Sequence, residues 1–177
     1  IAISYPDISG LNEAERVRCV VTGNPVRAEI AALYTKPYAM IRDEGSVNIL
    51  IMGGSLGASV FSAVVPQAFA KLHSEYRARL NVMQQCREEN IEAARAAYEQ
   101  AGINATVQPF FDNVAGLLDW AHLVISRSGA SSVAEITAAG RPAIFVPYPH
   151  HTDQQQKINA DSVSDRGGAW TIVEEGF

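Results

Sequence analysis

Leu123-Val124-Ile125-Ser126-Arg127-Ser128-Gly129-Ala130-Ser131-Ser132-Val133-Ala134-Glu135 runs from an apolar segment through a small-residue turn into a helical pattern. Leu123-Val124-Ile125 predicts a buried strand. Residues 133–139 predict a helix that stops at Gly140, with Pro142 shortly beyond. The junction is thus the exposed N-terminus of a helix, whose unpaired N–H groups and positive dipole end seat an anion or a polar ligand. Glu135, one turn in, offers a carboxylate able to accept hydrogen bonds from a pair of neighbouring hydroxyls such as those of a ribose. A structural reading stands beside that one. Ser132-Val133-Ala134-Glu135 also fits a capping box, with Ser132 as N-cap and Glu135 reaching back to its N–H.

The same strand–turn–helix pattern recurs on both sides. Val47–Met52 reads as a central strand and runs into Gly53-Gly54-Ser55-Leu56-Gly57-Ala58, followed by a helix with Val60, Phe61, Val64, Val65, Phe69 and Leu72 on one stripe. Glycines there let the backbone approach a ligand, and Ser55 adds a hydroxyl donor. The turn lacks the Gly-Lys-Ser/Thr of a P-loop and is not a clean GxGxxG, so anion binding and tight strand–helix packing both remain open. Further strands are predicted at 80–83, 105–107, 142–147 and 169–173, and further helices over Glu88–Gln100 and Val114–Trp120. Another helix, capped by Asp153, holds Ile158 and Val163. Near the start, Asn24 and Pro25 predict a helix over 26–33 with Arg27 in its first turn. That is the wrong end for a cation, unless an anion or an acidic neighbour meets it.

Strands alternating with helices call for an α/β fold: a Rossmann-like parallel sheet with helices on both faces, joined by right-handed crossovers. In such sheets ligands bind beyond the carboxyl ends of the strands. Arg27, Ser55, Phe111, the run 130–135 and Gln156 all fall just after strands. Phe110 and Phe111 read either as core plugs or as a surface for a planar base. Gln154-Gln155-Gln156 reads either as polar surface or as amides suited to sugar hydroxyls.

With 177 residues, 47% of them hydrophobic and 19% charged, the chain can bury a sizeable core. A net charge of −5 argues against a nucleic-acid surface, which needs clustered Lys and Arg. Cys19 and Cys86 form no CxxC pair, and a reducing cytosolic setting is the default. His150, His151 and Asp153 lack the i,i+4 helical spacing of a zincin, so no metal is expected. Asn104-Ala105-Thr106 is a formal sequon with no secretion signal before it. The absence of an initiator Met and the close on Glu174-Glu175-Gly176-Phe177 suggest a fragment, with residues 1–16 a remnant or linker and 17–177 a nucleotide-sugar domain truncated at its end.

Gly23-Asn24-Pro25-Val26-Arg27, Gly53-Gly54-Ser55-Leu56-Gly57-Ala58, Arg127-Ser128-Gly129-Ala130 with Glu135, and 139–147, in this order and spacing, resemble the MurG family from Cys19 onward. These are peptidoglycan glycosyltransferases, which add N-acetylglucosamine to lipid I to give lipid II. The resemblance implies the C-terminal, donor-binding half of a GT-B fold. It further implies a role in cell-wall synthesis, cell shape and division, and a peripheral place on the cytoplasmic face of the membrane. It assigns Arg27 and Ser55 to the diphosphate of UDP-GlcNAc, with Gly53, Gly54 and Gly57 as the phosphate loop. Phe111 is assigned to the uracil edge through its main chain. Ala130, Ser131, Ser132, Val133 and Ala134 lie along the nucleotide, Glu135 meets the ribose, and Gln155 and Gln156 meet the sugar. No cofactor or metal is implied; lipid I binds the missing N-terminal domain, which also supplies the base. The chain departs from the family at Gln84-Gln85-Cys86-Arg87, where members often carry His-Gln-Cys/Ser-Gly. Two other readings remain: a nicotinamide-dependent Rossmann domain, which needs a carboxylate after the strand ending near Gln84, and a catalytically silent binding module.

Overall fold

A computed structural model describes residues 1–4, 10–54, 58–150 and 154–177. The elements in chain order are β1 (Ala2–Ile3), α1 (Glu13–Arg16), β2 (Val20–Val21), α2 (Ala28–Ala31) with a 3-10 turn (Ala32–Thr35), β3 (Val47–Met52), α3 (Ser59–Ala70), α4 (Ser74–Arg77), β4 (Leu80–Gln85), α5 (Glu88–Gln100), β5 (Asn104–Gln108), α6 (Val114–Trp120), β6 (Leu123–Ser126), α7 (Ala130–Ala138), β7 (Ala143–Phe145), α8 (Gln155–Ser164), β8 (Ala169–Thr171) and a closing 3-10 turn (Glu174–Gly176).

Six strands form one parallel sheet in the order β5-β4-β3-β6-β7-β8. The first strand of this sheet in the sequence, β3, therefore lies inside it, and the chain winds outward from it in both directions. Its apolar run fits that place. Alternate residues face opposite layers, so Ile49 and Ile51 join the core under α3 and α5, with Phe61, Val65 and Tyr98. Leu50 joins the other core, with Leu118, Val133, Ile136 and Phe145. A separate parallel pair joins β1 to β2, Ala2 opposite Val20 and Ile3 opposite Val21, so the first residues are tied across the expected boundary at 16/17.

The six-stranded sheet and the helices expected from the sequence agree with it in type and order and differ at some edges, while α1, α4 and the β1–β2 pair had no counterpart in that reading. The stripe of α3 stops short of Leu72, which follows the helix and is exposed. Strand β4 runs on to Gln85. Gln84 is fully buried and its side-chain oxygen accepts a 2.5 Å hydrogen bond from the Tyr98 hydroxyl; burial raises the Tyr98 pKa. In α8, Ile158 faces outward and Asn159 is buried instead. The Asn159 amide donates to the Ser128 carbonyl at 3.1 Å, and satisfying that buried carbonyl fixes the rotation of the helix. The expected cap Asp153 lies outside the described residues; the N-cap position is Gln154, at φ +47°.

His122, entering β6, is buried. Its Nδ1 accepts the Asn48 backbone N–H at 2.9 Å, which requires an unprotonated ring nitrogen. Burial first, and the Arg141 guanidinium second, lower its pKa from the usual 6.5. A depressed histidine pKa means that the unfolded chain takes up the proton first. The contribution to stability is complete above 6.5 and is lost as pH falls through the folded-state value. Between pH 6.5 and 5 the melting temperature should fall more steeply for the wild type than for His122→Asn, whose amide oxygen accepts the same N–H without titrating. Parallel melting curves for the two proteins would contradict this.

Candidate functional site

The order of the sheet puts its switch point between β3 and β6: from β3 the chain proceeds to β4 and β5 on one side, and from β6 to β7 and β8 on the other. Neighbouring connections leave such a point in opposite directions, and this opens a crevice at the carboxyl ends of the strands. A cleft of about 890 Å³ lies there. Gly53, Gly54, Ala58, Ser59 and Val60 line it after β3, and Arg87 after β4. Arg127, Gly129, Ala130, Ser131 and Ser132 line it after β6, Tyr148 and His150 after β7, with Gln156 and Glu174 completing the wall.

The N-termini of α3, α5, α7 and α8 contribute to this lining, and none of the four helices carries a side-chain cap. By contrast, α6 is capped by Asn113, whose side-chain oxygen accepts the Gly116 N–H at 2.8 Å. The first N–H groups of a helix have no acceptor within it, so uncapped ends aimed at a cleft offer donors and partial positive charge to a ligand. Gly54 sits at φ +80°, a conformation that glycine adopts without strain. Gly129 is different. Its φ is −58°, and a Cβ added there meets nothing within 4 Å, so neither backbone nor packing demands glycine; what it preserves is room in the cleft.

The capping-box reading of Ser132 and Glu135 is overturned. Helix α7 begins at Ala130 behind an extended Gly129, and the Val133 N–H already donates to the Gly129 carbonyl at 3.0 Å. Ser132 is therefore inside the first turn and Glu135 has no cap to serve. Its carboxylate instead takes both prongs of Arg27, Nε to Oε1 at 2.8 Å and a terminal nitrogen to Oε2 at 3.0 Å. The contact raises the basicity of Arg27. Arg27 is also not in the first turn of a helix. It occupies the N-cap position of α2, which begins two residues later than the 26–33 helix expected from the sequence. Asn24, expected as that cap, accepts a hydrogen bond from the Ser4 hydroxyl at 2.6 Å and donates to the Ala130 carbonyl at 3.3 Å, pinning the loop to the start of α7. The acidic neighbour that the position of Arg27 called for is Glu135.

Of the residues expected at the site, Gly53, Gly54, Ala130, Ser131, Ser132 and Gln156 line the cleft together. Gln156 accepts the Tyr148 N–H at 3.1 Å. Glu135 lies three and four residues after Ser132 and Ser131, on their face of α7. Val133 turns its side chain into the core and its N–H into the helix, so it does not face the cleft. Ala134 and the exposed Gln155 are not part of the lining. Phe111 follows the edge strand β5, away from the switch point; it is half-buried, and its neighbour Phe110 is exposed, which removes the reading of both as core plugs. Ser55 and Gly57 lie outside the described residues, as do His151 and Asp153. Among the described residues no three His, Cys, Asp or Glu side chains are grouped to hold a metal ion. Cleft residues to which the sequence reading gave no role include Arg87, Arg127, Tyr148 and Glu174. Arg127 directly follows β6 and Arg87 stands two residues past β4, so the rule that found Arg27 and Ser55 would have found them if applied to every strand.

Residues 48–177 match the model of the glycosyltransferase family 28 C-terminal domain. The chain belongs to this family. All of it aligns, at 48% identity, with a protein of Rhodospirillum centenum named UDP-N-acetylglucosamine–N-acetylmuramyl-(pentapeptide) pyrophosphoryl-undecaprenol N-acetylglucosamine transferase, and at 46% with a protein of the same name from Paramagnetospirillum magneticum. The chain spans about half of these relatives, 47% and 48% of their lengths. The crystal structure of Acinetobacter baumannii MurG superposes with a TM-score of 0.74 at 28% identity, over 96% of this chain and 52% of that one. The glycosyltransferase of kitacinnamycin shares the fold, with a TM-score of 0.63 at 20% identity. The family 28 domain is thus the Rossmann-like half of a GT-B enzyme. The nicotinamide reading has no support at β4, which ends in buried Gln84 and then Gln85 with no carboxylate for an adenosine ribose.

Proposed function

We propose that this chain is the donor-binding half of an inverting N-acetylglucosaminyltransferase, which carries the sugar of UDP-GlcNAc to lipid I and so forms lipid II. The observation that carries the reading is the convergence of uncapped helix N-termini and the Gly53-Gly54 turn on one cleft at the switch point. The names of the two half-matched relatives support the choice of donor and acceptor.

In this reading the N–H groups of Ala130, Ser131 and Ser132 and the turn after β3 meet the diphosphate. Glu135 takes the ribose hydroxyls, with its carboxylate held in orientation by the fork of Arg27. Gln156, with Gln155 beside it, meets the sugar hydroxyls, and the main chain at Phe111 meets the uracil edge. The acceptor hydroxyl displaces UDP directly from the anomeric carbon, with inversion through an oxocarbenium-like state, and its proton goes to a base on the acceptor half. Charge builds on the departing UDP as the bond breaks. Fixed helix ends already face the cleft where that charge develops, so its stabilisation needs no reorganisation and donor binding needs no metal. The acceptor is lipid-linked, which puts the whole enzyme at the cytoplasmic face of the membrane. No helix of the described residues is long and apolar enough to cross a membrane.

UDP-GlcNAc at about a hundred times its Kd should stabilise the chain by about 2.7 kcal/mol. That corresponds to a rise of roughly 5–11 °C in Tm for a domain of this size. The rise should persist in EDTA. An unchanged Tm in saturating UDP and UDP-GlcNAc would contradict the donor reading.

A further inference from the structure

We propose that Glu174 belongs to the donor site and that its carboxylate accepts hydrogen bonds from the 3- and 4-hydroxyls of the donor hexose. This deepens the donor reading and rests on it. Glu174 opens the closing 3-10 turn, just past the edge strand β8, and lines the cleft together with Arg127, Tyr148 and Gln156. The Arg127 guanidinium pairs with its Oε2. That contact holds the carboxylate in place and compensates its charge. A carboxylate has about four lone-pair sites, so one such contact leaves it able to accept from a ligand as well. The side chain keeps 27% of its surface exposed, and a ligand in the cleft can reach it. Two carboxylates at the site are thus each held by a guanidinium, Glu135 by Arg27 and Glu174 by Arg127.

A nucleoside diphosphate hexose likewise carries two pairs of adjacent hydroxyls, one on the ribose and one on the sugar. In N-acetylglucosamine C1 bears the phosphate, C2 the acetamide and C5 the hydroxymethyl group. The 3- and 4-hydroxyls are therefore the adjacent pair left on the ring, and C4 lies opposite C1. A carboxylate that reads them has to stand away from the diphosphate, which it would repel. Glu174 stands away. The carboxyl edge of the sheet runs β3-β6-β7-β8, with the Gly53-Gly54 turn after β3 and the start of α7 after β6. Neighbouring strands lie about 4.8 Å apart, so β8 stands about 10 Å beyond β6. With the diphosphate at the ends of β3 and β6 and the sugar against Gln156, the ring extends towards β8 and its far hydroxyls come to Glu174.

Calorimetric titration of wild type, Glu174→Gln and Glu174→Asp with UDP, UDP-GlcNAc and its 4-epimer UDP-GalNAc tests this. Glutamine keeps the shape of the side chain and removes the charge of the acceptor, so Glu174→Gln should bind UDP-GlcNAc about tenfold more weakly. UDP carries no hexose, and its affinity should stay within about twofold of wild type, since the lost contact is to the sugar alone. The preference of wild type for UDP-GlcNAc over UDP-GalNAc should shrink by a similar factor. Glu174→Asp keeps a charge for Arg127 and withdraws it by one methylene; it should show the same selective loss, and it decides the matter if the glutamine variant folds poorly. A residue that only props Arg127 would not separate UDP from UDP-GlcNAc. UDP-GlcNAc affinity within about twofold of wild type in the folded variants overturns the proposal, because a charge-assisted contact is worth more than that. An equal loss for UDP overturns it too, and would mean that Glu174 only shapes the cleft. A wild type that binds neither UDP nor UDP-GlcNAc overturns the donor reading and this proposal together, whereas UDP-GlcNAc binding that ignores Glu174 overturns this proposal alone.

Discussion

Glu135→Ala is expected to weaken UDP binding by about a hundredfold, since it removes two hydrogen bonds to a charged acceptor at about 1.5 kcal/mol or more each. A carboxylate has about four lone-pair sites, and the two hydrogen bonds from Arg27 leave room for two hydroxyls. The side chain is 18% exposed, so these bonds form where water competes poorly. The loss should depend on the ribose. Wild type should prefer UDP to 2′-deoxy-UDP, and Glu135→Ala should bind the two almost equally, which makes a thermodynamic cycle between residue and ligand. If the variant discriminates between them as strongly as wild type does, Glu135 does not hold the ribose. Arg27→Ala should give part of the same phenotype, because it frees the carboxylate to rotate without removing it.

The largest loss of stability is expected at Arg127. Its side chain is 11% exposed, between the rings of Phe61 and Tyr148 with their centroids 5.5 and 5.4 Å from the guanidinium carbon. It donates to the Val146 and Pro147 carbonyls, each at 3.1 Å, and pairs with Glu174, while Phe177 packs edge-on against Phe61 at 5.7 Å. One residue thus ties the end of β6 to the exit of β7 and to the closing turn. Arg127→Ala leaves Glu174 and two carbonyls without that donor. Removing one partner of a buried pair costs about 3–5 kcal/mol, and the partial exposure of Glu174 puts the expectation near 3. For a domain of this length that is a fall of roughly 6–12 °C in Tm. Arg127→Lys should recover less than half, since an ammonium cannot bridge acceptors on separate loops in one plane. A fall under 2 °C for Arg127→Ala would show that the tie contributes little.

The turn after β6 illustrates how far local sequence carries. Strand, turn and helix were all legible there, because apolar runs, glycines and helix stops report on neighbours a few residues away. The first residue of α7 was not. Ser132 and Glu135 satisfy the capping pattern as well as any pair, and what decided against it was the extended backbone at Gly129 and an arginine 108 residues away from Glu135 in the chain. Asn159 gives the same lesson for α8. Periodicity favoured Ile158 for the core, but the Ser128 carbonyl needed a donor and the helix turned to supply it.

The residues taken alone determined the alternation of strands and helices, hence a parallel sheet covered on both faces, and they put the candidate ligand residues at the strand ends. Family membership was also legible, because its motifs are strings of neighbouring residues. Tertiary structure decided the order of the strands, with β3 inside the sheet and the cleft beside it, and with that which post-strand residues share a wall. It also decided that Arg27 and Glu135 act as a pair and that Arg87 and Arg127 face the cleft. Periodicity along a chain is a local property. The partner of a charge is whatever the packing of distant segments brings within about 3 Å, and no window of sequence contains that distance.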